Sequence, residues 1–506
     1  MSLCRRATIA LQAQHPLLAV PLVRLDRPLE QQVRAARAAG ADVIELRVDL
    51  LRDVAAVERL LRSCPDTPFI LTVRSAAEGG AWAGDEADRL ATIERLAKLH
   101  PGLVDVEAGV DPLPRLYDNA LILSRHCFDA PPGDFAAAID ELSARGPHVV
   151  KLAAMLEDSA DAWRLLAALR DRAPRTRLVA VGMGPAGLAT RVLCRKLGGF
   201  LTFASLTAEA ASAPGQPTVA DLIGLYRWPA IGSATRVFGV VGWPVGHSRS
   251  PHVHNAAMAG LGIDGVYLPL PVQPQQAAFF RFMDTLETAP WLDVGGLSVT
   301  VPHKQHALSW LRRRGGRVSD RAARCGAVNT LTRGPDGRWS GENTDIIGIR
   351  AALREVLPPD ATADVLGAGG VARAVVVALQ EMGCPVTLYN RTPRRARELA
   401  GELGCQWAPW ERRSAGQGGL LVNCTTIGMQ DEELPVGPER LTPPLVVFDC
   451  VYTPPMTALL RAAARRGCRI VSGQEMFIHQ AAAQFALWHH QPAPLAAMRA
   501  ALGNAL

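Results

Sequence analysis

No run in this sequence approaches the roughly 18 consecutive apolar residues of a membrane-spanning helix, so a helical membrane protein is not expected. No C-x-x-C pair occurs among the ten cysteines, which stand singly. They read as reduced core or surface thiols in a cytoplasmic protein. No polybasic run carries interleaved aromatics, and a net charge of +6 is mild for 506 residues. Nucleic acid is therefore not an expected partner, although a slightly basic balance suits anionic small molecules. His252 and His254 form an H-x-H pair without any further ligand pattern, so no metal site is expected. Near the start, Arg5 and Arg6 precede an apolar stretch that His15 and Pro16 interrupt. It is too short and too polar for a secretory signal. No self-similarity at about 20 to 50 residues suggests a repeat array.

The length predicts about three domains. Short apolar runs at 17–23, 43–48, 69–73, 103–107, 121–124, 149–153, 178–181 and 201–204 alternate with mostly amphipathic stretches. Such βα alternation gives an open doubly wound sheet or a closed barrel. Eight units over about 200 residues favour the barrel. Glu45, Arg47, Arg74, His126 and Lys151 lie in or just after these runs, where a barrel gathers its catalytic face. The segment 226–235, with Trp228-Pro229 and Gly232-Ser233, breaks the periodicity and reads as a linker. Residues 236–340 read as mixed α/β. From Asp364 a strand, a glycine turn, a helix at 372–382 and a strand at 386–389 follow one another. A long helical stretch begins at Glu475.

Lys151 sits inside the apolar run His148-Val149-Val150-Lys151-Leu152-Ala153. It reads either as a side chain reaching past a strand end or as an amine made nucleophilic by burial and nearby cations. Arg47, Arg74 and Arg191 are the candidate cations, and also candidate grips for a carboxylate. His126 is a candidate proton shuttle, or else a hydrogen-bonded core histidine. The segments Glu45-Leu46-Arg47-Val48-Asp49, Arg74-Ser75-Ala76-Ala77-Glu78-Gly79-Gly80, Ser124-Arg125-His126, Val150-Lys151-Leu152-Ala153 and Ser212-Ala213-Pro214-Gly215-Gln216 stand in one order over about residues 15–225. This set resembles type I 3-dehydroquinate dehydratase. The resemblance implies a Lys151 imine, proton transfer by His126 oriented by Glu78, and a carboxylate grip of Arg191, Ser212 and Gln216. It also implies that Glu45 and Arg74 meet ring hydroxyls.

In the second half, Gly367-Ala368-Gly369-Gly370-Val371-Ala372 follows a strand and opens a helix, the context of a dinucleotide site. Where an NAD site would place an acid, this chain has Asn390-Arg391-Thr392-Pro393-Arg394-Arg395. Guanidiniums there suit a 2′-phosphate and predict NADP(H). Lys304 and Asp345 are a candidate proton relay, or else a plain ion pair. Segments around Ser248 and Ser250, Thr300 and Lys304, Asn329, Asp345, Tyr452 and Gln480 resemble shikimate dehydrogenase over residues 236–490. The resemblance assigns Ser248, Ser250, Thr300, Asn329, Asp345, Tyr452 and Gln480 to substrate. It assigns Gly367, Ala368, Gly369, Gly370, Asn390, Arg391, Thr392 and Arg395 to cofactor, and Lys304 with Asp345 to catalysis. Ser250 and Thr300, which quinate-oxidising relatives tend to alter, favour shikimate.

Taken together, the two resemblances imply a dehydratase barrel at 1–228, a shikimate-binding lobe at 236–340 completed by helices at about 475–506, and an NADP-binding Rossmann-type lobe at 341–474. They imply a fused enzyme converting 3-dehydroquinate through 3-dehydroshikimate to shikimate. Two other readings are a catabolic quinate/shikimate dehydrogenase and a metabolite sensor on degenerate enzyme folds. The fused wording near the end is most similar to plant enzymes, yet no obvious plastid transit segment is present.

Overall fold

The computed structural model describes residues 3–504, so the outermost expected domain limits at 1 and 506 fall outside it. Eight parallel strands form the first sheet: β1 (Leu17–Leu22), β2 (Val43–Arg47), β3 (Phe69–Thr72), β4 (Gly102–Glu107), β5 (Ala120–Cys127), β6 (Val149–Met155), β7 (Leu178–Met183) and β8 (Leu201–Phe203). Their order is β7-β6-β5-β4-β3-β2-β1-β8. The seam between β7 and β8 has no ladder, but Phe200 N–H donates to Leu178 O at 2.9 Å, so the barrel is nearly closed.

The two-residue period of these strands separates core from chemistry. Val43, Ile70, Leu103, Ile122, Val149, Val179 and Leu201 make one buried apolar cluster. Two residues further along, the same faces carry Glu45, Thr72, Asp105, Ser124 and Lys151, all buried. The helix Arg5–Leu11 joins that cluster through Ala7 and Ala10 and covers this end of the barrel.

Arg6 fastens that helix. Its buried guanidinium donates to the carbonyls of Leu61, Cys64, Pro65, Leu99 and His100, at the ends of the helices Val54–Ser63 and Glu86–Ala97. A charged donor satisfies carbonyls that a helix end leaves open. Arg6→Ala is expected to destabilise the barrel by about 2–4 kcal/mol. The check is the urea midpoint for loss of dehydratase activity, which should fall while that of the dehydrogenase stays in place.

The remaining strands are β9 (Arg236–Gly242), β10 (Gly265–Pro271), β11 (Val294–Val299), β12 (Arg317–Val318), β13 (Thr330–Arg333), β14 (Trp339–Glu342), β15 (Ala363–Leu366), β16 (Val386–Asn390), β17 (Gln406–Pro409), β18 (Leu420–Asn423), β19 (Val446–Asp449) and β20 (Arg469–Val471). Within the second sheet, β11, β13, β14 and β12 lie side by side. The third sheet is parallel, ordered β17-β16-β15-β18-β19-β20, with its switch point between β15 and β18. Ligands of such sheets bind beyond the strand ends at that point.

The chain divides into two compact units: residues 1–237, 243–248 and 264–293, and residues 238–242, 249–263 and 294–506. The first unit thus holds more than the barrel. Within it, Ser159 donates to Pro271 O at 2.8 Å, Arg281 pairs with the buried Asp158, and Trp163 lies 6.1 Å from Phe282. The segment read as a linker is a packed strap. Trp228 is buried, Arg195 stacks on it at 4.9 Å, and Lys196 donates to Ser233 O and Thr235 O at 2.6 and 2.9 Å. Proline and glycine marked the break in periodicity but could not show that Arg195 and the buried Lys196 hold the strap.

Candidate active sites

Strand register brings the first site together. Ser124 on β5 is level with Lys151 on β6, and His126 is level with Ala153, one layer higher. One cavity is lined by Glu45, Arg47, Arg74, Glu78, His126, Lys151, Arg191, Ser212 and Gln216, which are all the residues predicted for this site.

The amine is not surrounded by cations alone, as the sequence suggested. Lys151 Nζ donates to Asp105 Oδ2 at 2.8 Å, lies 4.0 Å from Glu45 Oε1, and sits 4.8 Å over the Phe203 ring. The other Asp105 oxygen accepts from Arg74 at 2.7 Å and from Ser124 Oγ at 2.6 Å. Arg74 also donates to Ser124 Oγ at 2.9 Å. Arg47 forms a forked pair with Asp49, at 3.0 and 2.8 Å. Both arginines therefore spend donors on internal carboxylates, because a buried charge needs a partner. Asp105 was missed in the sequence. The signal was available: Leu103-Val104-Asp105-Val106-Glu107 alternates acid with apolar residues inside a strand.

His126 Nδ1 meets Glu78 Oε2 at 2.8 Å, and the same oxygen accepts His126 N–H at 3.1 Å. A carboxylate on Nδ1–H leaves Nε2 as the basic nitrogen. Burial, with Arg74 and Lys151 nearby, holds His126 well below its ordinary value, so the ring is neutral at pH 7. Burial pushes the Glu78 carboxyl up to about 7, against the pull of Arg74.

Arg191 is buried, and its Nε and NH2 have no hydrogen-bond partner among the described residues. Burial lowers it to about 10, which still leaves a full cation at neutral pH. Gln216 Oε1 accepts from Ser212 N–H and Oγ at 2.7 and 3.1 Å, while its Nε2 is unpartnered. Unpaired buried donors around a cation make a site for a carboxylate.

In the second unit, Lys304 opens the helix Lys304–Arg313, and Asp345 lies in the first turn of the helix Thr344–Leu353. Their side chains meet at 2.6 Å. Asn329 Oδ1 accepts Thr344 N–H at 2.7 Å and Thr330 Oγ1 at 2.8 Å, which ties β13 to that helix. Gln480 reaches Thr344 Oγ1 at 3.5 Å from the helix Gly473–His489. Gly348 permits this approach: a Cβ there would lie 2.6 Å from Met476 O. Gln484, one turn after Gln480, was also missed. It accepts from Ser298 at 2.8 Å and donates to Thr330 Oγ1 at 3.1 Å. Thr300 N–H donates to Val241 O, and Tyr452 stacks on Phe477 at 5.1 Å. Ser250 opens the helix Ser250–Gly260 and is buried, and Ser248 belongs to the first unit.

The nucleotide turn has the predicted form. Gly367 has φ +110°, and a Cβ there would lie 3.0 Å from Cys424 O. The helix Gly370–Glu381 begins after Gly369 with no side-chain cap, and a Cβ at Gly369 or Gly370 would meet nothing within 4 Å. Uncapped N–H groups at an open helix start fit a pyrophosphate. Asn390 ends β16, and Thr392 stands just before the helix Pro393–Leu403 without a side-chain cap hydrogen bond. Arg391 and Arg395 are exposed and in no ion pair among the described residues, whereas Arg394 pairs with Glu398. Two free guanidiniums beyond β16 fit a 2′-phosphate.

Residues 18–233 match the family described as type I 3-dehydroquinase, 240–331 the shikimate dehydrogenase substrate binding domain, and 473–502 the shikimate 5'-dehydrogenase C-terminal domain. The bifunctional 3-dehydroquinate dehydratase/shikimate dehydrogenase of Arabidopsis thaliana is 36% identical over 91% of this chain and 79% of its own. The chain belongs to this bifunctional family. The NADP(+) shikimate dehydrogenase of Rhodospirillum rubrum is 44% identical over 50% of this chain and 91% of its own. A Thermus thermophilus shikimate 5-dehydrogenase, solved with NADP(H) and shikimate, is 36% identical and covers 54% of this chain and 100% of its own, with a TM-score of 0.49.

Lysine usage in this family member adds a signal that the motifs did not carry. Lysine stands only at Lys98, Lys151, Lys196 and Lys304, although lysine and arginine together number 54. A chain that otherwise uses arginine keeps lysine at both candidate catalytic positions. An amine can shed its proton in a site, and a guanidinium cannot.

Proposed function

We propose that the chain dehydrates 3-dehydroquinate to 3-dehydroshikimate in the barrel and reduces 3-dehydroshikimate to shikimate with NADPH in the second unit. The observation that carries the first step is a buried amine, a neutral histidine and an unpaired cation lining one cavity. Lys151 Nζ attacks the ketone carbon, water leaves, and a protonated imine remains. His126 Nε2 takes the adjacent ring proton while the electrons move to the imine nitrogen. His126 then returns a proton to the departing hydroxyl, which leaves as water, and hydrolysis frees Lys151. Arg191, with Ser212 and Gln216, grips the carboxylate. Glu45 and Arg74 face the ring hydroxyls.

For the second step, the uncapped helix start after Gly369 would hold the pyrophosphate, and Arg391 and Arg395 the 2′-phosphate. NADPH held there would supply the hydride. Lys304 donates the proton that the new alkoxide oxygen needs, and Asp345 holds Lys304 in place. Ser250, Thr300, Asn329, Tyr452 and Gln480 would line the sugar-like ring. The support for NADP(H) is the free guanidinium pair together with the NADP(+) relatives. All ten cysteines are free, which suits a reducing compartment such as the cytoplasm. Among the described residues, no helix is long and apolar enough to cross a membrane.

The test is NADPH oxidation by the purified chain with 3-dehydroquinate as sole substrate. Formation of shikimate supports both steps. Release of 3-dehydroshikimate without NADPH consumption refutes the second, and no turnover at all refutes the first. Arg391→Ala is expected to raise KM for NADPH by about ten- to a hundredfold while changing KM for NADH little, since only NADPH carries the 2′-phosphate. Equal effects on both would refute the phosphate assignment.

A further inference from the structure

Among the described residues, Asp105 is the one carboxylate in hydrogen-bond contact with the candidate imine-forming nitrogen, and no assignment above gives it a part in the reaction. We propose that Asp105 is a positioning residue of the dehydratase, which holds Lys151 Nζ in place and remains its counter-charge when the ammonium becomes a protonated imine. This rests on the imine reading of the barrel site and deepens it.

The argument begins with charge conservation. R–NH3+ and a ketone give R–NH+=C and one water, so the nitrogen carries one positive charge before and after. A carboxylate fitted to the ammonium therefore also fits the imine without moving. Asp105 is held for that task. Its side chain is fully buried, Oδ2 faces Lys151, and Oδ1 is fixed by Arg74 at 2.7 Å and Ser124 Oγ at 2.6 Å. The register of β4, β5 and β6 builds this, since Asp105 is level with Ile122, and Ser124 with Lys151.

The second argument concerns the proton. An imine draws electrons from the neighbouring C–H bond only while its nitrogen stays protonated. A carboxylate in contact would quench it by accepting that proton. Burial alone would push Asp105 up, but Arg74 and Lys151 outweigh burial and hold it well below the usual carboxylate range. Asp105 thus stabilises the cation without becoming its base. His126 Nε2, one layer higher, is left as the group that accepts the proton from carbon.

The test uses the full chain, with the circular dichroism spectrum and its urea midpoint as the control for folding of the barrel. Wild type and Asp105→Asn are incubated with 3-dehydroquinate and borohydride, and the adduct on Lys151 is read by mass. The pH dependence of dehydratase kcat is measured in parallel. Without the counter-charge the imine loses its proton more readily, so the alkaline limb of kcat should move to lower pH by about one unit. In the same variant kcat near neutrality should fall about a hundredfold. The adduct should still form in acid. A fall in kcat with the limb unmoved overturns the proposal, as does unchanged kcat. If wild type itself gives no adduct, the imine reading fails and this inference with it. Should Asp105→Asn not fold, Ser124→Ala serves instead. It removes one of the two donors on Asp105 Oδ1, keeps the Arg74 bond and leaves every charge in place, so it must move the limb the same way by a smaller amount. No shift there also overturns the proposal.

Discussion

Replacing Lys151 with alanine is expected to lower dehydratase kcat by about 10⁴-fold or more while leaving reduction of 3-dehydroshikimate unchanged. No other amine can substitute. Lys98 is exposed, and Lys196 is engaged by two carbonyls of the strap that follows the barrel. Arginine in place of Lys151 should be equally inactive, because a guanidinium retains its proton and cannot attack a carbonyl. The measurement is 3-dehydroshikimate formation in the absence of NADPH, followed by NADPH oxidation when 3-dehydroshikimate is supplied. The surviving activity reports that the second unit has folded, and an unchanged urea midpoint by circular dichroism reports that the barrel has. Residual dehydration within about a hundredfold of wild type would rule out a covalent mechanism.

Lys304→Ala is expected to do the reverse. Reduction of 3-dehydroshikimate should fall by about 10²- to 10⁴-fold, the range that a positioned proton donor supplies. Dehydration should be unaffected. Lys304 and Asp345 form a half-buried pair at 2.6 Å, so removal of the amine also leaves the carboxylate next to the place where negative charge develops. Asp345→Asn keeps the amine and its charge and should cost less. If the two variants lose equal activity, and KM rises while kcat holds, the pair serves binding and not proton transfer. Steady-state kinetics with both substrates varied separates these outcomes.

Much of this was legible along the chain. The eight barrel strands all appear where apolar runs alternate with amphipathic stretches, with ends displaced by at most three residues. The helix after the nucleotide turn begins two residues earlier than its apolar pattern, at Gly370, because glycine has no hydrophobic signature even where it starts a helix. All nine residues predicted for the barrel site line one cavity. Lys304 and Asp345 are in contact, as expected of a relay. Asp105 escaped because attention to the amine stopped at cations, and the acid that pairs with it lies 46 positions away. Gln484 escaped because a buried glutamine in a helix has no pattern of its own. Its partners on β11 and β13 are more than 150 positions distant.

The sequence by itself determined the element types, the two chemistries and the cofactor preference. These reside in local periodicity and in short motifs whose residues act through the backbone turn they sit on. Only the tertiary structure decided which charges pair. The barrel aligns strands in parallel register, and that register sets Asp105, Ser124 and Lys151 within hydrogen-bond reach. It also decided that Arg191 keeps buried donors free while Arg47 and Arg74 spend donors on Asp49 and Asp105. The physical reason is that burial makes each unpaired charge costly, and which partner relieves that cost depends on distance in space, which no spacing along the chain encodes.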